Sequence, residues 1–252
     1  MKKLRADQLL HDQGLVESRE RARRLIMAGE VFLVRDAARE RVDKPGRMLG
    51  ADAELVVRAP ERFVGRGGYK LLTAIEAFAI DASNKVALDV GAATGGFTDC
   101  LLQCGAARVY TVDVGRGLLH ERLRADPRVV AHEGVNIRYA PRDLLPELVD
   151  IVVADVSFIS LSTALAPSLI FLKDTGEVVA LIKPQFEVGK GKTVKGVVRD
   201  VAAQLAAVDK VVGYACEELG LRLVGVRPAQ IKGPKGNQEY LAYLKKDARG
   251  LR

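Results

Sequence analysis

A run of apolar residues, 178–182, lies within the segment GEVVALIKPQFE and predicts a β-strand that is covered on both faces. Lys183 follows at once, and Pro184, which has no N–H to give to a neighbouring strand, ends the ladder. A charge at the end of a buried strand is costly unless it is paired. Lys183 is therefore a candidate functional residue.

Strand-like segments alternate with helix-like segments from residue 70 onward. The candidate strands are KVALDVG, RVYTVDVG, DIVVADVSF and GEVVALIKP, and amphipathic segments such as GFTDCLLQCG and LSTALAPSLIFL lie between them. This alternation predicts a parallel sheet with helices on both faces, an α/β fold. Such sheets bind ligands beyond the carboxyl ends of their strands, so residues at those positions become candidates for a site.

The first sixty or so residues follow a different pattern. LRADQLLHDQGL and ESRERARRLIMAGEVFLV predict two helices, with Ser18 capping the second at its start and a glycine closing each. The short strand-like pieces VFLV and AELVV follow, separated by the turn-rich DKPGRMLG. We predict a small α+β domain over residues 1–60, a glycine- and arginine-rich linker over 61–69, and an α/β domain over 70–252.

Composition narrows the classes of function. The formal net charge of +7 favours a polyanionic partner such as nucleic acid. No apolar run approaches the roughly 20 residues that span a bilayer, and no apolar core or cleavage site follows the basic N-terminus. The three cysteines form no paired framework and no usual zinc spacing. We expect a cytoplasmic protein with no metal and no membrane partner.

The segment LDVGAATGGFTDCLL predicts a glycine turn between a buried strand and a helix, where the backbone can approach a ligand closely. Its spacing is neither that of a dinucleotide fold nor that of a phosphate loop. An acid at the end of the next strand can accept hydrogen bonds from both hydroxyls of a ribose. Together these features indicate an S-adenosylmethionine site, with a turn needed only for packing as the alternative. The predicted cofactor-binding residues are Asp89, Gly91, Ala92, Thr94, Gly95, Gly96, Phe97, Asp113 and Asn136.

Three further polar residues occupy positions comparable with that of Lys183. Asp155 ends the strand DIVVADVSF, Glu239 interrupts the alternating segment NQEYLAYL, and Lys70 begins the helix KLLTAIEAF after the flexible GRGGY. Because strand ends share one edge of a sheet, Asp155 and Lys183 should meet there. A structural ion pair would explain any one of these residues, whereas four of them predict a catalytic set.

The motifs GRGGYKL, LDVGAATGGFTDCLLQ, VVADVSFIS, LIKPQFEVG and KGNQEYL resemble those of the haemolysin A (TlyA) family of ribosomal RNA methyltransferases. The likeness covers nearly the whole chain. Its C-terminal part is similar to FtsJ-type ribose 2′-O-methyltransferases, which implies a Rossmann-like S-adenosylmethionine-dependent domain. The implied reaction is methylation of a ribose 2′-hydroxyl, usually of a cytidine, in ribosomal RNA of one or both subunits. The implied catalytic tetrad is Lys70, Asp155, Lys183 and Glu239.

The first unit of sequence contains a pattern made of Arg5, Ser18-Arg19, Ala22, Ile26, Gly29, Val31, KPG and a final ELVV. Over about residues 2–60 this pattern resembles the S4-like RNA-binding module, although the segment VRDAARERVDKPG is longer than the usual turn there. The resemblance implies arginines that contact phosphates of structured RNA, with a solvated helix face as the alternative. The basic, glycine-rich loop 189–199 is either a second RNA contact or a solvated linker. The predicted RNA-binding residues are Arg5, Arg19, Arg23, Arg66, Lys190 and Lys192.

The chemistry of a ribose hydroxyl supports a role for Lys183. The hydroxyl is a weak nucleophile, so its attack on a methyl group requires removal of its proton or stabilisation of its charge. A lysine base must be neutral, which burial and the second cation, Lys70, favour, whereas Asp155 and Glu239 favour the charged form. The sequence leaves both roles open.

Three other functions are alternatives to this one. A non-catalytic RNA-binding assembly factor would have no use for the four polar residues of the tetrad. A membrane-lysing protein would need spanning segments or a strong exposed amphipathic helix. Methylation of a base at an exocyclic amine commonly uses an Asn/Asp-Pro-Pro-aromatic motif, and ADVSF is not such a motif.

Overall fold

The chain folds into two units. The computed structural model describes residues 2–35, 38–58, 61–189 and 191–246. Contacts between residues divide the chain after Arg62. The second unit thus begins inside the predicted linker, 61–69, because the Phe63 side chain is buried in the core of that unit.

The first unit pairs two helices with short antiparallel strands. Its elements are β1 (Lys3–Arg5), α1 (Ala6–Asp12), α2 (Arg19–Ala28), β2 (Val31–Arg35), β3 (Ala38–Arg41), β4 (Met48–Gly50) and β5 (Leu55–Val57). Strand β2 lies between β3 and β5, and β1 pairs with β4. Ser18 Oγ accepts a hydrogen bond from the Arg21 N–H at 3.2 Å, and Gly29 adopts a left-handed conformation (φ 76°), so both predicted ends of α2 are confirmed.

The second unit contains one seven-stranded sheet. Its elements are α3 (Gly67–Phe78), β6 (Val86–Val90), α4 (Gly96–Gln103), β7 (Arg108–Asp113), α5 (Glu121–Arg124), β8 (Val129–Glu133), β9 (Val149–Ala154), α6 (Leu161–Ser168), β10 (Leu172–Ile182), α7 (Pro184–Glu187), α8 (Val201–Glu217), β11 (Leu221–Pro228) and β12 (Tyr240–Lys246). The strand order is β11-β12-β10-β9-β6-β7-β8. Pairing is parallel except at β12, which runs antiparallel to both β10 and β11.

The path of the chain creates a crevice beside β6. The chain moves outward from β6 to β7 and β8, and then returns to add β9 on the other side of β6. The connection that follows β6 leads towards one edge of the sheet, at β8, and the connection that follows β9 leads towards the other, at β11. This reversal leaves a gap between the two connections. Ligands of open α/β sheets bind at such a switch point, outside the carboxyl ends of the strands.

The central strands are covered on both faces, as the apolar run in GEVVALIKPQFE predicts. Val178, Ala180 and Ile182 of β10 pack in one core with α6 and α8. Val179 and Leu181 pack in a second core with α3 and α4 on the opposite face. All five side chains are at most 1% exposed. The α/β fold class is thus confirmed.

The sequence reading did not anticipate the reversed direction of β12. Glu239 also does not interrupt the late strand, as the sequence analysis expected. It lies directly before Tyr240, at which β12 begins. Helix α8 and strand β11 were also not predicted. Among the described residues, no helix has the length and apolar character that crossing a membrane requires.

A strand buried on both faces should lose stability when either face is truncated. We expect Leu181→Ala and Ile182→Ala each to lower the free energy of unfolding by about 2–5 kcal/mol, because each leaves a cavity in a separate core. Urea unfolding followed by circular dichroism measures both. Leu205→Ala, on a half-exposed position of α8, is the control and should change stability by less than about 0.5 kcal/mol. A cost as small as the control's at either position would show that one face is not packed.

Candidate active site

Three strands bring polar side chains to one edge of the sheet. Ala154 pairs with Ala180 between β9 and β10, so Asp155 and the end of β10 lie at the same level. Ile182 pairs with Tyr240 between β10 and β12. Because β12 is antiparallel, its first residues meet the last residues of its parallel neighbours. Strand ends therefore position Asp155 and Lys183, while a strand beginning positions Glu239.

The fourth predicted catalytic residue reaches this edge from a helix. Lys70 lies in the first turn of α3, and its Nζ is 2.5 Å from Glu239 Oε2. The side chains of both residues are nearly fully buried. Gln185 of α7 donates a hydrogen bond from Nε2 to the other carboxylate oxygen of Glu239, at 3.2 Å. Glu239 is thus held on both oxygens.

Lys183 forms a second ion pair at the same edge. Its Nζ lies 2.5 Å from Asp155 Oδ1 and donates a hydrogen bond to Ser157 Oγ at 2.6 Å. The Lys183 side chain is 10% exposed and that of Asp155 is 20% exposed. This pair is therefore more open to solvent than the Lys70–Glu239 pair, and a substrate can approach it.

The glycine turn after β6 contacts the Asp155 backbone. Gly91 has a left-handed conformation (φ 82°), and a Cβ atom there would lie 2.6 Å from the Asp155 carbonyl oxygen. The Asp155 N–H donates to the Val90 carbonyl at 2.9 Å. No residue with a side chain fits at position 91 without displacing one of these two segments.

Two cavities adjoin this turn. The larger, of about 320 Å³, contains Gly91, Asp113 and Asn136 in its wall. The smaller, of about 70 Å³, reaches the edge of the sheet at which Asp155 lies. It is lined by Gly67, Asp89, Gly91, Ala92, Ala93, Thr94, Gly96, Phe97 and Asp155. The two cavities share Gly91 and Ala93, and eight of the nine predicted cofactor residues line one cavity or the other.

Asp89 is a buried carboxylate with one oxygen to spare. Its Oδ2 accepts hydrogen bonds from the Thr98 N–H at 3.0 Å and from Thr98 Oγ1 at 2.6 Å. Its Oδ1 is buried and has no hydrogen-bond partner among the described residues. Burial raises the pKa of Asp89 to about 7, and the charges of Asp155 and Asp113 add to the effect. A cationic ligand group would satisfy Oδ1 and favour the ionised form.

Asp113, the last residue of β7, and Asn136, three residues after the end of β8, both line the larger cavity. Asp113 accepts hydrogen bonds from the Ala93 N–H at 2.8 Å and from the Gly115 N–H at 2.7 Å, which fix its orientation. A carboxylate that accepts two hydrogen bonds keeps capacity for more. Asn136 accepts from the Arg138 N–H through Oδ1 at 3.0 Å, so its amide donors are available to a ligand.

The remaining predicted residues lie elsewhere. Gly95 lines neither cavity: it caps the start of α4, where a side chain would collide with Leu119 and Leu123. Arg66 donates to the Lys232 carbonyl oxygen at 2.7 Å. Lys192 is exposed on its loop, and Lys190 falls outside the described residues. Arginines 5, 19 and 23 contact Asp7 in the first unit.

Sequence reasoning missed several residues that line the site. Gly67 lines the smaller cavity beside Asp155, and Ser157 accepts a hydrogen bond from Lys183, only because the fold brings α3, the segment after β9 and the end of β10 together. Phe158 lines the larger cavity, has a positive φ of 69° and is 89% exposed. The aromatic residue in VSFIS, four positions after the end of β9, was the available signal in the sequence.

Comparison with known proteins agrees with this geometry. The model of the FtsJ-like methyltransferases matches residues 63–246. The chain belongs to that family. It is 42% identical over 252 residues to the 16S/23S rRNA (cytidine-2′-O)-methyltransferase TlyA of Mycobacterium tuberculosis, with 97% of this chain and 90% of that protein covered.

Solved structures share the fold of this chain. The fold matches a structure described as "Putative hemolysin from Streptococcus thermophilus" with a TM-score of 0.73 and 42% identity, over 98% of this chain and 90% of that one. Fibrillarin of Aeropyrum pernix, solved with bound S-adenosyl-L-methionine, shares the fold alone at 18% identity, with a TM-score of 0.51 over 70% of this chain and 75% of that one. The family shown for this chain makes it a methyltransferase.

The raised pKa of Asp89 predicts how stability depends on pH. The folded protein binds this proton more tightly than the unfolded chain, so Asp89 lowers stability progressively as pH rises from about 4 to about 7. We expect Asp89→Asn to remove that contribution. Thermal unfolding of ligand-free wild type and variant between pH 4.5 and pH 8 tests this. The stability of the variant relative to the wild type should increase as pH rises. A difference that is constant with pH would contradict the raised pKa.

Proposed function

We propose that this protein uses S-adenosylmethionine to methylate a ribose 2′-hydroxyl, that of a cytidine, in the ribosomal RNA of assembled subunits in the cytoplasm. The observation that carries the proposal is the meeting of Lys70, Asp155, Lys183 and Glu239 beside a cavity at the switch point of the sheet. The name of the Mycobacterium tuberculosis relative, which states a cytidine-2′-O activity, supports the choice of target.

The residues present fit the proposed cofactor. Asp89 Oδ1, buried and unpaired among the described residues, suits the α-amino group of the methionine part. Asp113 suits the ribose hydroxyls and Asn136 the adenine, and both line the larger cavity. When bound, S-adenosylmethionine supplies a methyl group activated by its positively charged sulfur. The protein's part is to hold this donor and a hydroxyl in line, which is a large source of rate enhancement.

Lys183 is the group that contacts the 2′-oxygen in this proposal. Asp155 and Ser157 fix its Nζ, so that the ammonium donates to, or the neutral amine accepts a proton from, the attacking hydroxyl. The Lys70–Glu239 pair, held by Gln185, forms the second side of the site. Charge that develops on the 2′-oxygen is stabilised by fixed groups that need no rearrangement during the reaction.

RNA binding in this proposal uses both units. The first unit acts as an S4-like module whose arginines contact phosphates, and Arg66 with the loop 189–199 adds contacts beside the catalytic edge. Contacts of this kind supply affinity and position the RNA, while the choice of nucleotide depends on the catalytic unit.

The deciding experiment measures transfer of labelled methyl groups to separate small and large ribosomal subunits. We expect Lys183→Ala to lower kcat by at least about 100-fold, the scale of a lost acid–base or charge-stabilising group. Lys173→Ala is the matched control, because Lys173 lies on the same strand at the opposite edge, bonded to Asp150. It should keep activity within about twofold.

Transfer to neither subunit by wild-type protein that binds the cofactor would refute the proposed substrate. Equal loss in both lysine variants would refute the role of Lys183. The pH dependence separates its two roles: a rate that rises from neutral to alkaline pH indicates a base, and a flat rate indicates charge stabilisation, provided that chemistry limits the rate.

Gly91 gives a separate test of the cofactor site. A methyl group at this position meets the Asp155 carbonyl, so Gly91→Ala should weaken binding of S-adenosylmethionine by at least about 10-fold, or 1.4 kcal/mol. Calorimetric titration measures the affinity. Gly213→Ala, on the open face of α8, is the control and should bind as wild type does. Unchanged affinity in Gly91→Ala would place the cofactor elsewhere.

A further inference from the structure

The first unit buries a single carboxylate under three arginines. The Asp7 side chain is 0% exposed, and Arg5 binds it with two hydrogen bonds, Nε to Oδ1 at 3.0 Å and Nη2 to Oδ2 at 3.1 Å. Arg23 donates from Nε to Oδ2 at 3.0 Å, and Arg19 from Nη2 to Oδ1 at 3.4 Å. We refer to Arg5, Arg19 and Arg23 as the arginine cluster.

The start of α1 and the first turns of α2 are enough to form this cluster. Arg5 and Asp7 flank the start of α1, while Arg19 and Arg23 lie one turn apart on α2, so that both face the same carboxylate. Burial alone would raise the pKa of Asp7, but the hydrogen bonds from Arg5 and Arg23 and the arginine charges hold it well below its usual range. Asp7 is thus an anion that joins two helices.

The cluster contains more positive charge than Asp7 needs. Arg5 already donates a hydrogen bond to each carboxylate oxygen, and Arg19 and Arg23 each donate one more, so a single negative charge is shared by three guanidinium groups. The three arginine side chains remain 44%, 45% and 57% exposed. Each guanidinium has more N–H donors than its bonds to Asp7 use, and those donors make no hydrogen bond to any other described residue. The result is a fixed, exposed group of cations with unused donors.

We propose that Asp7 is a positioning residue that holds the arginine cluster ready to bind phosphates of an RNA backbone. Three guanidinium groups would repel one another without the anion between them, and free arginine side chains would lose considerable entropy on binding. Asp7 removes both costs before RNA arrives. Guanidinium groups match phosphate oxygens with paired hydrogen bonds, so the expected ligand is the sugar–phosphate backbone. This inference rests on the proposed RNA substrate and deepens it.

For the loss of the Asp7 charge, the proposal predicts the opposite change in RNA affinity from the one that net charge alone predicts. If only net charge mattered, removing the negative charge of Asp7 would strengthen binding to a polyanion. If the arrangement of the arginines matters, the same change weakens binding because the guanidinium groups separate. Asp12 offers a matched control, since it is also an acid of α1 but its side chain is 47% exposed.

The experiment compares Asp7→Asn and Asp12→Asn in the full chain. Methyl transfer to ribosomal subunits gives KM and kcat over a series of salt concentrations, and filter binding measures affinity for deproteinised ribosomal RNA. We expect Asp7→Asn to raise KM by at least about fivefold with kcat within about twofold, and to reduce the salt dependence by about one phosphate contact or more. Asp12→Asn should leave KM unchanged or lower it.

Folding and ligand class are controlled separately. Arg23→Lys keeps the charge and a partner for Asp7 but loses the planar fork, so it should weaken RNA binding as well. If thermal unfolding shows that Asp7→Asn is not folded, RNA binding by Arg23→Lys is the test of the proposal. Unchanged or tighter RNA binding by the folded variant tested overturns the proposal. A loss on whole subunits with deproteinised RNA unaffected overturns it too, and assigns the cluster to a ribosomal protein. Absence of methyl transfer by wild type instead refutes the proposed function.

Discussion

Two ammonium groups at one edge of a buried sheet require two carboxylates within reach, and much of the second unit serves this requirement. Lys70 pairs with Glu239 and Lys183 with Asp155, at distances of 2.5 Å. Replacing buried ion pairs by apolar side chains often leaves stability unchanged or improves it, so stability alone does not explain these four residues. Their position beside a cavity does. In the proposed mechanism, the sheet supplies a rigid frame that holds these charges close to the reacting hydroxyl.

The four predicted catalytic residues and the two cavities beside the glycine turn are linked through the backbone. Gly91 touches the Asp155 backbone, and Gly67, at the start of the helix that carries Lys70, lines the smaller cavity. A shift of the turn after β6 therefore moves the acid that orients Lys183. Close approach of backbone segments, more than any side-chain contact, joins the two parts of the site.

The sequence was most informative where a single strand or turn determines position. Asp155 and Lys183 follow apolar runs, and parallel strands must end at the same edge, so their meeting could be predicted. The direction of β12 could not, because a strand that is buried on both faces has the same apolar character whichever way it runs. Ser157 and Phe158 follow a strand end as Asp155 does, but only the fold shows that they face the site. Gly95 fits the glycine pattern, yet its role is to start α4 rather than to line a cavity.

The reversed strand has a consequence for how the site comes into being. Lys70 and Glu239 lie 169 positions apart in the chain, and Glu239 reaches the edge only when β12 inserts between β10 and β11. Closing a chain segment of this length carries an entropic cost that grows slowly with the separation, and contacts that are distant in sequence slow folding. Without β12, Lys70 has no carboxylate partner. Completion of the sheet and completion of the catalytic set are therefore the same event.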